Sequence, residues 1–131
     1  MALITRSANA SIDASTGMFA PQLTGLYAGE DLDAAAPCYV KSDGKIYMSD
    51  GTAANAAAAV DGFAPRACKS GQPITLFGEG ARFQYGTGLT PGATFYVGAT
   101  KGRLDGTATT GDAAGIARVV TATDIIVLRR K

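Results

Sequence analysis

Residues 37–50, PCYVKSDGKIYMSD, decide how this 131-residue chain is read. Tyr39 and Val40 run into Ser42-Asp43-Gly44, a tight-turn signal. Lys45-Ile46-Tyr47-Met48 then resumes with apolar and aromatic residues suited to a half-buried strand, so the stretch predicts a β-hairpin. An altered copy stands at residues 94–105, TFYVGATKGRLD: Phe95-Tyr96-Val97, a Lys101-Gly102 turn, and the returning run Arg103-Leu104. Each copy places Tyr-Val before its turn and an apolar residue soon after it.

Outward from the two hairpins, further matches keep the same order. Gly29-Glu30-Asp31-Leu32 precedes the first and Gly86-Thr87-Gly88-Leu89 the second; Gly62-Phe63-Ala64 and Gly115-Ile116-Ala117 follow them. Each unit closes on a strand-like run, PITLF at 73–77 and DIIVL at 124–128. The spacing predicts two related hairpin-containing units, about 26–83 and 84–131, that superpose with Tyr39 on Tyr96 and 74–77 on 125–128. Two sets of about four short strands can bury their apolar faces only against one another. The expected fold is therefore all-β, a small sandwich or barrel. The closing strand is dense enough in apolar residues that Ile126 and Leu128 are expected to point into the core. Phe83 and Tyr85 fall on one face of a strand joining the units. Residues 53–59, AANAAAA, have helix propensity but no apolar face, and predict a loop or a single turn.

Composition agrees with many short strands and tight turns: there are 17 glycines, and only 18% of residues are charged. The length suits one domain, read as an extended N-terminal arm at 1–24 and a single β domain at 25–131. In the arm, the isolated pairs Leu3-Ile4 and Met18-Phe19 are set among small polar residues; an ordinary first strand is the other reading. A formal charge of +1 supplies no field to draw in nucleic acid or an acidic membrane, so neither is expected as a partner. The N-terminal run MALITRSANAS lacks a signal-peptide core, no stretch approaches the ~20 apolar residues of a span, and the protein is expected to stay in the cell that makes it. Cys38 and Cys68 have no CxxC spacing, which predicts free buried thiols, with a disulfide as the other reading. Asn9-Ala10-Ser11 matches a glycosylation sequon, without consequence in a chain that is not secreted.

The chain contains no histidine, which removes the commonest general base, the usual zinc ligand and every Ser-His or Cys-His pair. Glu30-Asp31-Leu32-Asp33 lacks the spaced oxygen ligands of a calcium loop and reads as a solvated turn. The glycines between Gly78 and Gly88 form no phosphate-binding motif and read as turns. Arg129-Arg130-Lys131 reads as charge flanking an aggregation-prone strand, or as a contact for an acidic patch. No catalytic residue, cofactor or metal is expected, and the chain is not expected to be an enzyme.

Taken together, "GEDL...APCYVKSDGKIYMSD", the Ala-rich connection, "GFAPRACKSGQPITLFGEG", "GLTPGATFYVG" and "GIARVVTATDIIVL" resemble the small β-structured capsid decoration, or cement, proteins of tailed bacteriophages, over about residues 26–128. The resemblance implies a structural virion protein, made in the host bacterial cytoplasm, that sits on the outer face of the expanded head and stabilises contacts between major capsid proteins. The alternative is a phage head-fibre or tail adhesion module that binds a host receptor or glycan. A near-neutral protein on a lattice gains affinity by repetition. Self-association is thus expected, as a homotrimer or else a dimer, with Leu3, Ile4, Arg6, Met18 and Phe19 of the arm as capsid contacts.

Overall fold

The computed structural model of the chain describes residues 3–6, 22–52 and 54–129. Among the described residues ten strands are formed: β1 (Gln22–Tyr27), β2 (Pro37–Val40), β3 (Ile46–Met48), β4 (Gly62–Phe63), β5 (Pro73–Phe77), β6 (Arg82–Gln84), β7 (Thr94–Val97), β8 (Leu104–Asp105), β9 (Ala117–Val119) and β10 (Asp124–Val127). They make two five-stranded antiparallel sheets, so the molecule is all-β and of the two-sheet kind. The first sheet runs β1-β5-β4-β2-β3 and the second β6-β10-β9-β7-β8, which is the same path followed twice. Within residues 53–59, Ala56–Ala58 form a single 3-10 turn whose N-cap Asn55 accepts a hydrogen bond from Ala57 N–H.

The first hairpin forms because its turn satisfies its own backbone. Gly44 takes φ 82°, and Lys41 N–H donates to Lys45 O at 2.9 Å. Asp43 accepts from Lys45 N–H at 2.9 Å and from the Tyr47 hydroxyl at 2.7 Å, while Lys41 Nζ lies 4.7 Å from the Tyr47 ring centre. Tyr39 pairs with Tyr47 and Val40 with Ile46; in the second hairpin Tyr96 pairs with Asp105 and Val97 with Leu104. Tyr39 and Tyr96 thus hold the same register position, one residue before the last pair of each hairpin. The units also share a clamp: Val40 N–H donates to Asp61 Oδ2 at 2.7 Å, and Val97 N–H to Asp112 Oδ2 at 3.0 Å.

Two apolar clusters fill the molecule, and they are not equivalent. One lies on the inner face of the first sheet, with Cys38, Ile46, Ile74 and Leu76. The other lies on the inner face of the second, with Phe83, Phe95, Val97, Leu104 and Ile125, and it is completed by Val60, Phe63 and Phe77 from the first unit. Phe63 and Phe77 are paired across β4 and β5 on the first sheet's opposite face, so the back of that sheet is the lid of the second core. The Phe63 and Phe83 rings meet with centroids 5.5 Å apart.

The closing strand corrects one expectation. Ile125 and Val127 point inward, Ile126 is half-buried, and Leu128 is 41% exposed. Ile125 shares its face with its partners Phe83 and Val119, whereas Ile126 stands between Arg82 and Arg118. Turning Ile126 inward would carry two guanidinium groups into the core, a cost that two apolar side chains do not offset.

Candidate interaction surfaces

Residues 3–6 lie along β8. Leu3 bridges Asp105, Ile4 N–H donates to Leu104 O at 3.1 Å, and the Arg103 guanidinium donates back to Ile4 O at 3.0 Å. Ile4 packs on the second core, while Leu3 is 37% exposed. On the far side of the segment stands Gly86, where a β-carbon would come 2.7 Å from Thr5 O, so the close approach requires glycine there. Arg6 closes the segment, donating to Gly102 O at 3.0 Å and to Asp33 Oδ2 at 2.9 Å. Of the arm residues expected to meet a capsid, the structure brings Leu3, Ile4 and Arg6 together in this slot; Met18 and Phe19 lie outside the described residues. Gln22 to Thr24, the end of the expected arm, belong to β1.

In the first unit the corresponding place is closed by the chain itself. Gly29 N–H donates to Ile46 O at 2.8 Å, and Ala28 bridges Ile46. The second unit is thus open where the first is sealed, and residues 3–6 occupy the opening.

The acidic run is structural rather than merely solvated. Glu30 accepts from Met48 N–H at 2.8 Å and holds Lys101 Nζ at 2.5 Å, tying the first unit to the second. That hydrogen bond to Glu30 raises the pKa of Lys101. Asp31 accepts from Ser70 N–H at 2.9 Å, and this bond, followed by the Lys69 charge, lowers its carboxyl pKa. Neighbouring backbone bonds, Gly102 N–H to Ser49 O and Gly51 N–H to Gly98 O, complete the seam. Arg129 is likewise engaged, donating to Gly115 O at 2.9 Å and lying 3.4 Å from the buried Asp112 carboxylate. Arg130 and Lys131 lie outside the described residues.

Four other features bear on the surface and its chemistry. A cleft of about 270 Å³ lined by Thr52, Thr107, Thr109 and Thr110 lies over the buried Asp105, whose Oδ1 accepts from the Thr107 amide and hydroxyl, both at 3.0 Å. A second cleft, about 230 Å³, is lined by Tyr27, Pro65, Arg66 and Pro73 beside the bulge in β1, and Tyr27 is 55% exposed. The outward face of β9 and β10 presents Val120 and Leu128, both exposed, and half-buried Ile126, with Arg82 and Arg118 among them. Cys38 and Cys68 are free and buried in the first core, and burial pushes the Cys38 thiol up, away from its reactive thiolate form. Among the described residues, no three His, Cys, Asp or Glu side chains gather to hold a metal, and no helix is long and apolar enough to cross a membrane.

No family model, curated protein or solved structure matches the chain.

The slot and the outward face of β9 and β10 are what sequence reasoning missed. The slot had a signal, because Gly86 was matched to Gly29, yet only pairing could show that one glycine meets a strand of its own sheet and the other an incoming segment. The outward face had one too: in PITLF the polar Thr75 stands on the side away from the first core, and it aligns with Ile126.

Proposed function

We propose that this chain is a structural virion protein, a capsid decoration protein that binds the outside of an expanded phage head and strengthens contacts between major capsid proteins. The observation that carries this reading is the outward face of β9 and β10. Val120, Ile126 and Leu128 lie on this face beside Arg118 and beside Arg82, itself ion-paired with Asp124 at 3.2 Å, and an apolar patch with a charged margin suits a protein surface. Other charged groups likewise hold the molecule together, as in Glu30–Lys101, Arg6–Asp33 and Asp112–Arg129. A partner built as a lattice compensates for the modest patch by repetition, and a homotrimer, or else a dimer, presents several patches at once. The protein is made in the bacterial cytoplasm and ends on the outer face of the capsid.

The test is sedimentation with undecorated expanded heads. The protein is expected to pellet with them, and Leu128→Asp to weaken pelleting at least ~10-fold, as loss of a central apolar anchor does, while leaving the melting curve unchanged. Wild-type protein that stays in the supernatant overturns the reading. A second reading, a head-fibre or tail adhesion module, is favoured by exposed Tyr27 beside Arg66 in its cleft, where a sugar ring could stack. It predicts adsorption to host cells that is lost in Tyr27→Ala.

A further inference from the structure

We propose that the cleft walled by Thr52, Thr107 and Thr109 over Asp105 is a binding site for a primary alkylammonium group, the chemistry of a lysine side chain or of a free alkylamine. The inference does not rest on the capsid reading.

The direction of the hydrogen bonds around the cleft decides the ligand class. A threonine hydroxyl has one hydrogen to donate and two lone pairs. Here three of those hydrogens are committed to the body of the protein. Thr109 Oγ1 donates to Val97 O at 2.7 Å, Thr107 Oγ1 to Asp105 Oδ1 at 3.0 Å, and Thr52 Oγ1 to Ala99 O at 3.0 Å and to the Asp50 carboxylate. Each acceptor is a carbonyl or carboxylate oxygen, so no bond of the set can run the other way. The backbone repeats the pattern: the amides of Gly51, Thr52, Thr107 and Thr109 donate to Gly98 O, Asp50 Oδ1, Asp105 Oδ1 and Asp112 O at 2.8–3.0 Å. Asp105 is fully buried, and the two hydrogen bonds its Oδ1 accepts favour its charged form. What the three hydroxyls offer a ligand is therefore lone pairs, above one carboxylate and beside another.

Such a wall disfavours an anion and matches a ligand that brings several N–H donors with a positive charge. An ammonium carries three donors and no acceptor. Ala99 and Ala108 also line the cleft, and their methyl groups suit the methylene stem behind such a head. Among the described residues no aromatic ring lines it for a sugar to stack on, and no three His, Cys, Asp or Glu side chains gather there to hold a metal.

The walls come from both units and are fixed before any ligand arrives. Thr52 follows β3, whereas Thr107 and Thr109 follow β8, and the two loops are joined by Gly51 N–H to Gly98 O at 2.8 Å and Gly111 N–H to Gly51 O at 3.0 Å. Glycine at position 51 makes the approach possible, since a β-carbon there would come 2.4 Å from Val97 O and 2.7 Å from Thr109 Oγ1. Little ordering is then left for the ligand to impose.

The test is an NMR titration of the full-length, nitrogen-labelled protein at constant ionic strength. n-Butylammonium is expected to shift the Thr52, Thr107 and Thr109 amides together, with saturation on the order of 10 mM. n-Butyltrimethylammonium keeps the charge and loses every N–H, and is expected to bind at least roughly tenfold more weakly. Equal binding of the two cations overturns the proposal, as does no response to n-butylammonium, or saturation of these amides by calcium chloride alone. A blocked lysine peptide separates the two sources. If it saturates the site as n-butylammonium does, the site takes a lysine of a partner protein; if only n-butylammonium does, it takes a free amine. Thr107→Val puts a methyl group in place of the lone pairs and should weaken n-butylammonium roughly tenfold. The comparison of the two cations needs only the unaltered protein, so it decides the matter even where that variant fails to fold.

Discussion

The closing strand shows how much a single residue's direction depends on what flanks it. Ile125 and Ile126 are the same side chain one position apart, yet only Ile125 is fully buried. Ile125→Ala is expected to cost about 2–5 kcal/mol, against less than about 0.5 kcal/mol for Leu128→Ala at its exposed position. Denaturant midpoints of the two variants check this, and equal shifts would contradict the assigned face. Asp43 offers a second test. The Tyr47 hydroxyl, then the Lys45 amide, lower its carboxyl pKa below 3.8. A carboxylate lowered by folding adds stability that is present above its unfolded pKa and is lost as the pH falls through its folded value. Asp43→Asn should therefore narrow the difference in stability between neutral pH and pH 2, and a carboxyl titration of Asp43 by NMR should fall below that of a model peptide.

At the scale of elements, the hairpins were legible in the sequence and the division of labour between the sheets was not. Turn chemistry at Ser42-Asp43-Gly44 and Lys101-Gly102 is local, and the structure places strands on both sides of each. The destination of Phe63 and Phe77 is non-local. Nothing in Gly62-Phe63-Ala64 says that Phe63 turns its back on its own sheet's core to roof another. The consequence is measurable: Phe63→Ala should cost about 3–5 kcal/mol, and hydrogen exchange should show β6 to β10 losing protection before β2 to β5. Equal loss in both sheets would mean that the two cores do not divide as described.

For the whole molecule, the ordered matches made an all-β architecture legible, because two sets of about four short strands leave few ways to bury apolar faces; the structure has five in each sheet. The surfaces were less so. The acidic run reads as solvated in one dimension because Lys101, Arg6 and Ser70, which engage Glu30, Asp33 and Asp31, come from distant parts of the chain. Deleting residues 2–20 should remove Ile4 from the second core and lower the melting temperature, whether or not heads are present. An unchanged melting temperature would show that the segment contributes nothing to the folded body.

The pairing of residues 3–6 with residues 102–105 also sets an order of events on the ribosome. The first sheet and its core are complete once residue 77 has emerged, but Ile4 has no strand to join until Leu104 follows. At bacterial and eukaryotic synthesis rates that interval, from residue 6 to residue 105, is about 5–20 s. Throughout it the N-terminal strand waits without its partner, and for the last roughly 1–6 s of it it does so beside a first sheet whose strands have all been made.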